Sequence, residues 1–124
     1  MGRKYTAVRV GTIRYHPCTF SFVEGAARHE YFVVVDSKQA TTTINVDHID
    51  QFAQDHESMR LVLVYHIPNE DGKLVKKKDE YECAESEHLL KTFGGIRNKT
   101  VGLGLIDDFT TGTKGNIGQS NSSN

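Results

Sequence analysis

Between Tyr5 and Arg14 the chain alternates: Val8 and Val10 share one face, while Ala7, Arg9 and Gly11 take the other, the two-residue period of a strand with one buried side. His16-Pro17 then breaks the pattern, because proline has no amide to give to a ladder, and CTFSFV resumes it with Phe20 and Phe22 on a common face. The polar EGAARH reads as a turn into EYFVVVDS, where Val33 to Val35 is apolar on both faces, as in a strand in mid-sheet or at an interface. ATTTINV is a further strand, opposing Thr41 and Thr43 to Thr42 and Ile44. HIDQFAQDH behaves differently. Asp47 stands as an N-cap with Asp50 three residues on, and Ile49, Phe52 and Ala53 fall at helical spacing, which predicts a short helix over 48–56 with a strand end and loop as the alternative. MRLVLVYHI is a continuous β-rich run ended by Pro68. PNEDGK turns the chain, since Asn69, Asp71 and Gly72 tolerate reversing backbone angles, and LVKKKDEYEC returns antiparallel to make a hairpin.

After Cys83 the period becomes helical. Leu89, Leu90 and Phe93 form one stripe, Ser86 caps the start, and Gly94-Gly95 stops the helix after about three turns. Beyond the hinge IRNKTVG, a second apolar piece carries Val101, Leu103, Leu105, Ile106 and Phe109; a strand, a short helix and an extended clamp are all open for it. From Thr110 the sequence TTGTKGNIGQSNSSN has almost nothing apolar and reads as a flexible tail. The organisation expected is a single α+β domain over 1–109 and a polar tail over 110–124, the domain holding an antiparallel sheet of about five or six strands with short C-terminal helices.

Composition narrows the picture modestly. A chain of 124 residues is long enough for one real core and too short for two. With 15 basic and 16 acidic residues, net charge -1, any attraction to nucleic acid must come from local clustering. Cys18 and Cys83 are too few and too far apart for a secreted disulfide scaffold, and no apolar run reaches bilayer length, so a soluble protein that is not secreted is expected. Gly2 and Thr6 stand where a myristoylation signal would place them, but the segment alternates like a strand. The sequons at Asn98 and Asn121 carry no meaning without secretion.

Candidate chemistry is sparse. The six histidines show no ligand spacing within one element, so neither a metal nor a cofactor is expected. A thiol–imidazole pair built on Cys18 would need a base beside it, and Asp107-Asp108 reads as solvated charge ending the fold rather than as a cation site. Gly102-x-Gly104 lacks the third glycine and the βαβ setting of a phosphate loop. The run Lys76-Lys77-Lys78 is the one basic cluster. In a strand, Lys76 and Lys78 share a face, and Lys77 turns the other way with Val75 and Asp79; the face presents either a phosphate-binding patch or an edge that discourages pairing. Tyr65 and Tyr81, on the two hairpin strands, are available for stacking on bases or for packing.

The two apolar pieces at the C-terminal end exceed what one sheet face of a thin monomer covers, and a two-fold dimer is the simplest remedy, with Leu89, Leu90, Phe93, Leu103, Leu105 and Phe109 lying across the partner's sheet. In this order of elements, LVLVYHIPNEDGKLVKKKDEYEC, then SEHLLKTF, then VGLGLIDDF, the chain resembles the coat proteins of small single-stranded RNA phages. The resemblance covers about the last half of the chain, and its motifs are architectural. It implies a non-enzymatic subunit of a virion or host-cytoplasmic shell that dimerises and holds RNA on the inward sheet face, with Lys76, Lys78, Arg60 and Tyr65 as the RNA-facing set. A second reading, from a different class, is a small intracellular adaptor or inhibitor that binds a protein partner through an exposed strand edge or the apolar ending. A hydrolase using Cys18 or Cys83 beside a histidine is the third.

Overall fold

The computed structural model describes residues 3–101. Seven strands, β1 (Lys4–Val10), β2 (Tyr15–Glu24), β3 (Tyr31–Ser37), β4 (Thr41–Asn45), β5 (Ile49–Gln54), β6 (Leu61–Pro68) and β7 (Leu74–Glu82), form one antiparallel sheet, followed by a helix, α1 (Ser86–Val101). The sheet order is β4-β3-β2-β1-β7-β6-β5. Two meanders, β1 to β4 and β5 to β7, are therefore joined by one long-range ladder of three residue pairs, Val8↔Glu82, Arg9↔Tyr81 and Val10↔Glu80.

Chain connectivity dictates the shape of this sheet. β4 and β5 are its opposite ends, yet only the 3-10 turn Val46–His48 links them. Laid flat, seven strands would put their outer members about 29 Å apart, whereas the chain from Asn45 to Ile49 spans at most about 15 Å. The sheet has to curl until its two ends meet. The aromatic rings report the result: Phe20 of β2 and Phe52 of β5 stack with centroids 5.9 Å apart, although on a flat sheet four strand spacings, about 19 Å, would separate them. Between them the concave side collects Tyr5, Phe20, Val33, Ile44, Ile49, Leu61, Leu63 and Tyr81, each at most 2% exposed.

The helix closes one end of this curl. Leu89 and Phe93, one turn apart, enter the core, and Phe93 meets Phe52 edge to face at 5.0 Å. Tyr5 from β1 reaches the same helix, its hydroxyl 2.7 Å from His88 Nδ1 and 2.9 Å from Thr92 Oγ1. Arg97 Nη1 donates to the Ile49 carbonyl at 2.9 Å, which ties the far end of the helix to the start of β5. Arg3 and Glu85 pair across the helix entry.

Four expectations change. The sheet has seven strands rather than five or six, and the residues read as a helix over 48–56 supply the seventh. The reason is a bulge: Ile49 pairs with Tyr65 but Gln51 with Val64, so Asp50 is an extra residue and both Ile49 and Phe52 turn inward. One bulge thus gives a strand the i, i+3 apolar spacing of a helix. Second, Ser86 begins the helix, and Gly94-Gly95 lies within it instead of ending it. A glycine stop requires the left-handed backbone, and among the described glycines Gly72 in the β6–β7 turn has positive φ. Third, the first break falls at Gly11 to Arg14, and Pro17 is inside β2. It sits one residue past the last β2–β3 pair, Cys18↔Ser37, where the strand has a neighbour on one side only. Fourth, Asn45 caps the turn before β5, its side chain accepting from the Asp47 amide, so Asp47 is not the cap. The PNEDGK turn is as read, with Asn69 Oδ1 accepting from the amides of Asp71 and Lys73. The second apolar piece and the polar tail lie outside the described residues.

The course of α1 through Gly94 and Gly95 has a direct check. A Cβ added at either position meets nothing within 4 Å, so Gly94→Ala and Gly95→Ala should each stabilise the protein by about 0.5–1 kcal/mol through lost unfolded-state entropy. Thermal melts read this, and destabilisation by both substitutions would place the helix end at the glycines after all.

Candidate binding surfaces

Curling the sheet divides the residues that carry chemistry into two sets. On the convex side of the β6–β7 hairpin, Lys76 and Lys78 stand opposite His66 and Val64. They are fully exposed, but not in a purely basic field. His66 Nδ1 lies 2.8 Å from Asp50 Oδ2, Lys78 Nζ lies 4.0 Å from Glu80, and Arg60 holds both Glu80 at 3.3 Å and Glu82 at 3.8 Å. Alternation along the strands had this face right for Lys76 and Lys78, with Lys77 on the other side. It did not supply the carboxylates from β5 and β7 that interleave with the lysines.

Tyr65 belongs to the opposite, concave side. It is buried beside Leu63 and Leu61 positions of the same strand face, and its hydroxyl donates to Asp79 Oδ2 at 2.8 Å. The structure therefore puts Lys76, Lys78 and Arg60 on one face, with Arg60 at its Glu80–Glu82 end and Lys76 near the turn, and separates Tyr65 from them by the thickness of the sheet. Of the residues assigned to a dimer interface, Leu89 and Phe93 are covered by their own chain, Leu90 is half-buried against the same core, and Leu103, Leu105 and Phe109 lie outside the described residues. Packing on the chain's own curled sheet already shelters the stripe that the sequence assigned to a second copy.

The concave side holds a cluster that sequence reasoning missed. At the end of the curl away from α1, Asp79 accepts from Tyr65, from Arg9 Nη2 at 3.0 Å and, more weakly, from Tyr81 at 3.5 Å. The β1–β7 ladder positions it: Arg9 faces Tyr81, and Asp79 is the diagonal neighbour two residues along, within reach of a long side chain. Burial works against the Arg9 charge, but Asp79 outweighs it and holds the guanidinium more firmly protonated than usual. Both phenols are pushed up, first by burial and then by the Asp79 charge. Above this cluster opens a cleft of about 390 Å³ whose rim carries Arg9, His16 and Lys77 and whose walls are Val35, Ile44 and Ile67. Alternation sets Arg9 opposite Val8 and Val10, yet the buried side of β1 is the one that carries Tyr5 and Ala7, with Val8 and Val10 only half-buried; the meeting of Arg9 with Asp79 depends on a contact between strands some seventy residues apart in sequence.

Neither thiol is set up as a nucleophile. Burial pushes Cys18 up to about 11, partly opposed by Arg9, and it likewise raises Cys83, whose Sγ donates to the Thr6 carbonyl at 3.3 Å. An activated cysteine needs the opposite shift. Among the described residues, no group of three His, Cys, Asp or Glu side chains is placed to hold a metal ion, and no helix is long and apolar enough to cross a membrane.

The third surface is an edge. Among the described residues β5 pairs with β6 alone, and β4 with β3 alone. β5 carries neither lysine nor proline; its start is blunted by the bulge at Asp50 and by Arg97 on the Ile49 carbonyl, and the stretch after it is not. No protein-family model matches the chain, and no curated protein matches it.

Two outcomes follow from the Asp79 cluster. Asp79→Ala leaves the Tyr65 hydroxyl and Arg9 without their shared acceptor and should cost about 2–3 kcal/mol in chemical denaturation, against about 1 kcal/mol for Tyr65→Phe, which removes one donor and leaves Asp79 its other partners. The second concerns pH. A thiol whose folded pKa is raised stabilises the fold fully below its ordinary pKa, near 9, and loses that contribution as pH rises towards about 11. Stability should therefore fall across that window, and Cys18→Ala should flatten the fall; an unchanged slope would shift its source to Cys83, Tyr65 and Tyr81.

Proposed function

We propose that the chain is a non-enzymatic adaptor that takes an extended segment of a protein partner onto the free edge of β5. The observation that carries this reading is the pairing of β5: among the described residues it is hydrogen-bonded to β6 alone, which leaves one side of its backbone without a ladder. Main-chain hydrogen bonds along residues 50–54 would supply affinity, the Ile49 N–H and carbonyl being taken by Val46 and Arg97, and α1 would supply a wall at Arg97 for the side chains of the incoming segment.

The same geometry makes the shell reading the weaker one. It rested on an apolar C-terminal stripe in need of a second copy, and Leu89 and Phe93 have no such need. The mixed charge around Lys76 and Lys78 offers phosphates less than a uniform basic face would, since Glu80, Glu82 and Asp50 repel them. Both held protonated, the cysteines favour binding over hydrolysis.

Selection of peptides against the full chain from a displayed library tests the proposal. Selected peptides should perturb the backbone amides of residues 50–54 in two-dimensional NMR and slow their hydrogen exchange, and N-methylation of alternate peptide amides should abolish binding. Protection in the free chain of those β5 amides that point away from β6, or selected peptides that perturb only the Lys76 and Lys78 face, would overturn it. Uniform particles of many subunits in light scattering and electron microscopy would return the shell reading to first place.

A further inference from the structure

The cleft at the open end of the curl has no part in strand addition, and it is built differently from the rest of the concave side. Everywhere else that side is apolar, and α1 seals it. At the mouth it turns polar and cationic: Arg9, His16 and Lys77 ring an opening of about 390 Å³, while Val35, Ile44 and Ile67 continue the apolar lining below them. That volume lies within the range of small-molecule sites, and the mouths of curled sheets are among the places such sites occur.

Charge decides what the mouth suits. Among the described residues Asp79 is the one carboxylate on the lining, and it is committed to Arg9 at 3.0 Å and to the Tyr65 hydroxyl at 2.8 Å. Arg9 lines the opening and keeps more than half of its side chain exposed beside that pair, so N–H groups that Asp79 does not use stay accessible there. Lys77 stands opposite Tyr65 on the inner face and has no carboxylate partner among the ion pairs of the described residues. The rim thus holds two permanent positive charges against one negative, a surplus of a single charge over an apolar floor. Alternation sets Lys77 on the face opposite Lys76 and Lys78, and the curl turns that face over the cleft.

We propose that this mouth binds a small amphipathic monocarboxylate, its carboxylate held by Lys77 and the free face of Arg9 with His16 as a further donor, and its apolar body on Val35, Ile44 and Ile67. Arg9 is fixed for this role by Asp79, which aims its guanidinium from behind while leaving the front open. Tyr65 and Tyr81 act as positioning residues through Asp79 and do not touch the ligand's charge. The site is independent of the β5 edge, so either reading stands if the other fails.

The test uses the full chain and three probes: octanoate, which has both parts; 1-octanol, which lacks the charge; and acetate, which lacks the body. In NMR titrations octanoate should shift the Arg9 Nε–H and the amides of His16 and Lys77 saturably, with a dissociation constant at or below about 1 mM. Octanol and acetate should each bind at least about tenfold more weakly, corresponding to roughly 1.4 kcal/mol or more. Lys77→Gln alters an exposed side chain without a partner and should keep the fold while weakening octanoate at least about fivefold, with octanol unaffected. Equal binding of octanoate and octanol, shifts confined to the α1 end of the core, an unchanged constant in Lys77→Gln, or no saturable shift would each overturn the proposal. The comparison of probes on the unsubstituted chain holds even if a variant misfolds.

Discussion

Three residues between β4 and β5 set the terms for the whole molecule. Because Val46–His48 must join the two ends of a seven-strand sheet, the sheet has no flat solution, and it bends until Phe20 and Phe52 touch. Everything else takes its place from that closure. The concave side becomes an interior, the convex side becomes surface, and the two rims become different: one is plugged by Leu89 and Phe93, the other is left lined with Arg9, His16 and Lys77. A strand of alternating residues therefore has three environments along it, and the same inward register reads as core near the helix and as binding surface near the mouth.

Much of the sheet was legible because strand signals are local. The β6–β7 hairpin, its Asn-Asp-Gly turn, and the shared outward face of Lys76 and Lys78 need only the two-residue period and turn chemistry, and they are where the sequence put them. The misreadings share a cause. β5 imitated a helix because a bulge moved Phe52 to the side of Ile49; the helix overran Gly94-Gly95 because tertiary packing of Leu89, Phe93 and the Arg97 contact outweighs two glycines; Pro17 was tolerated because the neighbouring strand had already ended. In each case a long-range partner decided a question that short-range pattern had answered. The concave cluster was the least legible part for the same reason: Arg9, Tyr65 and Asp79 converge through the β1–β7 ladder, which no window of a few residues contains.

Apolar residues near a chain's end invite the inference that they await another molecule. Here the inference fails for Leu89 and Phe93 on a point of topology rather than of chemistry. A flat sheet offers a helix one face, and the surplus must go elsewhere; a curled sheet offers it an open end, and Tyr5, Phe52 and Ile49 converge there to receive it. Among the described residues the fold remains incomplete at the β5 edge and at the mouth, and the search for function moves there.

The β1–β7 ladder has a consequence for how the molecule comes into being. Its three pairs join residues 8–10 to residues 80–82, so the first strand made is also among the last to find its inner neighbour. During synthesis the β1 to β4 meander emerges with one flank bare and its aromatic side uncovered for as long as the ribosome takes to deliver the remaining strands, roughly several seconds at ordinary elongation rates. Closure is consequently slow and late. A nascent chain of this kind spends that interval as an open half-sheet, its future interior facing water until β7 arrives.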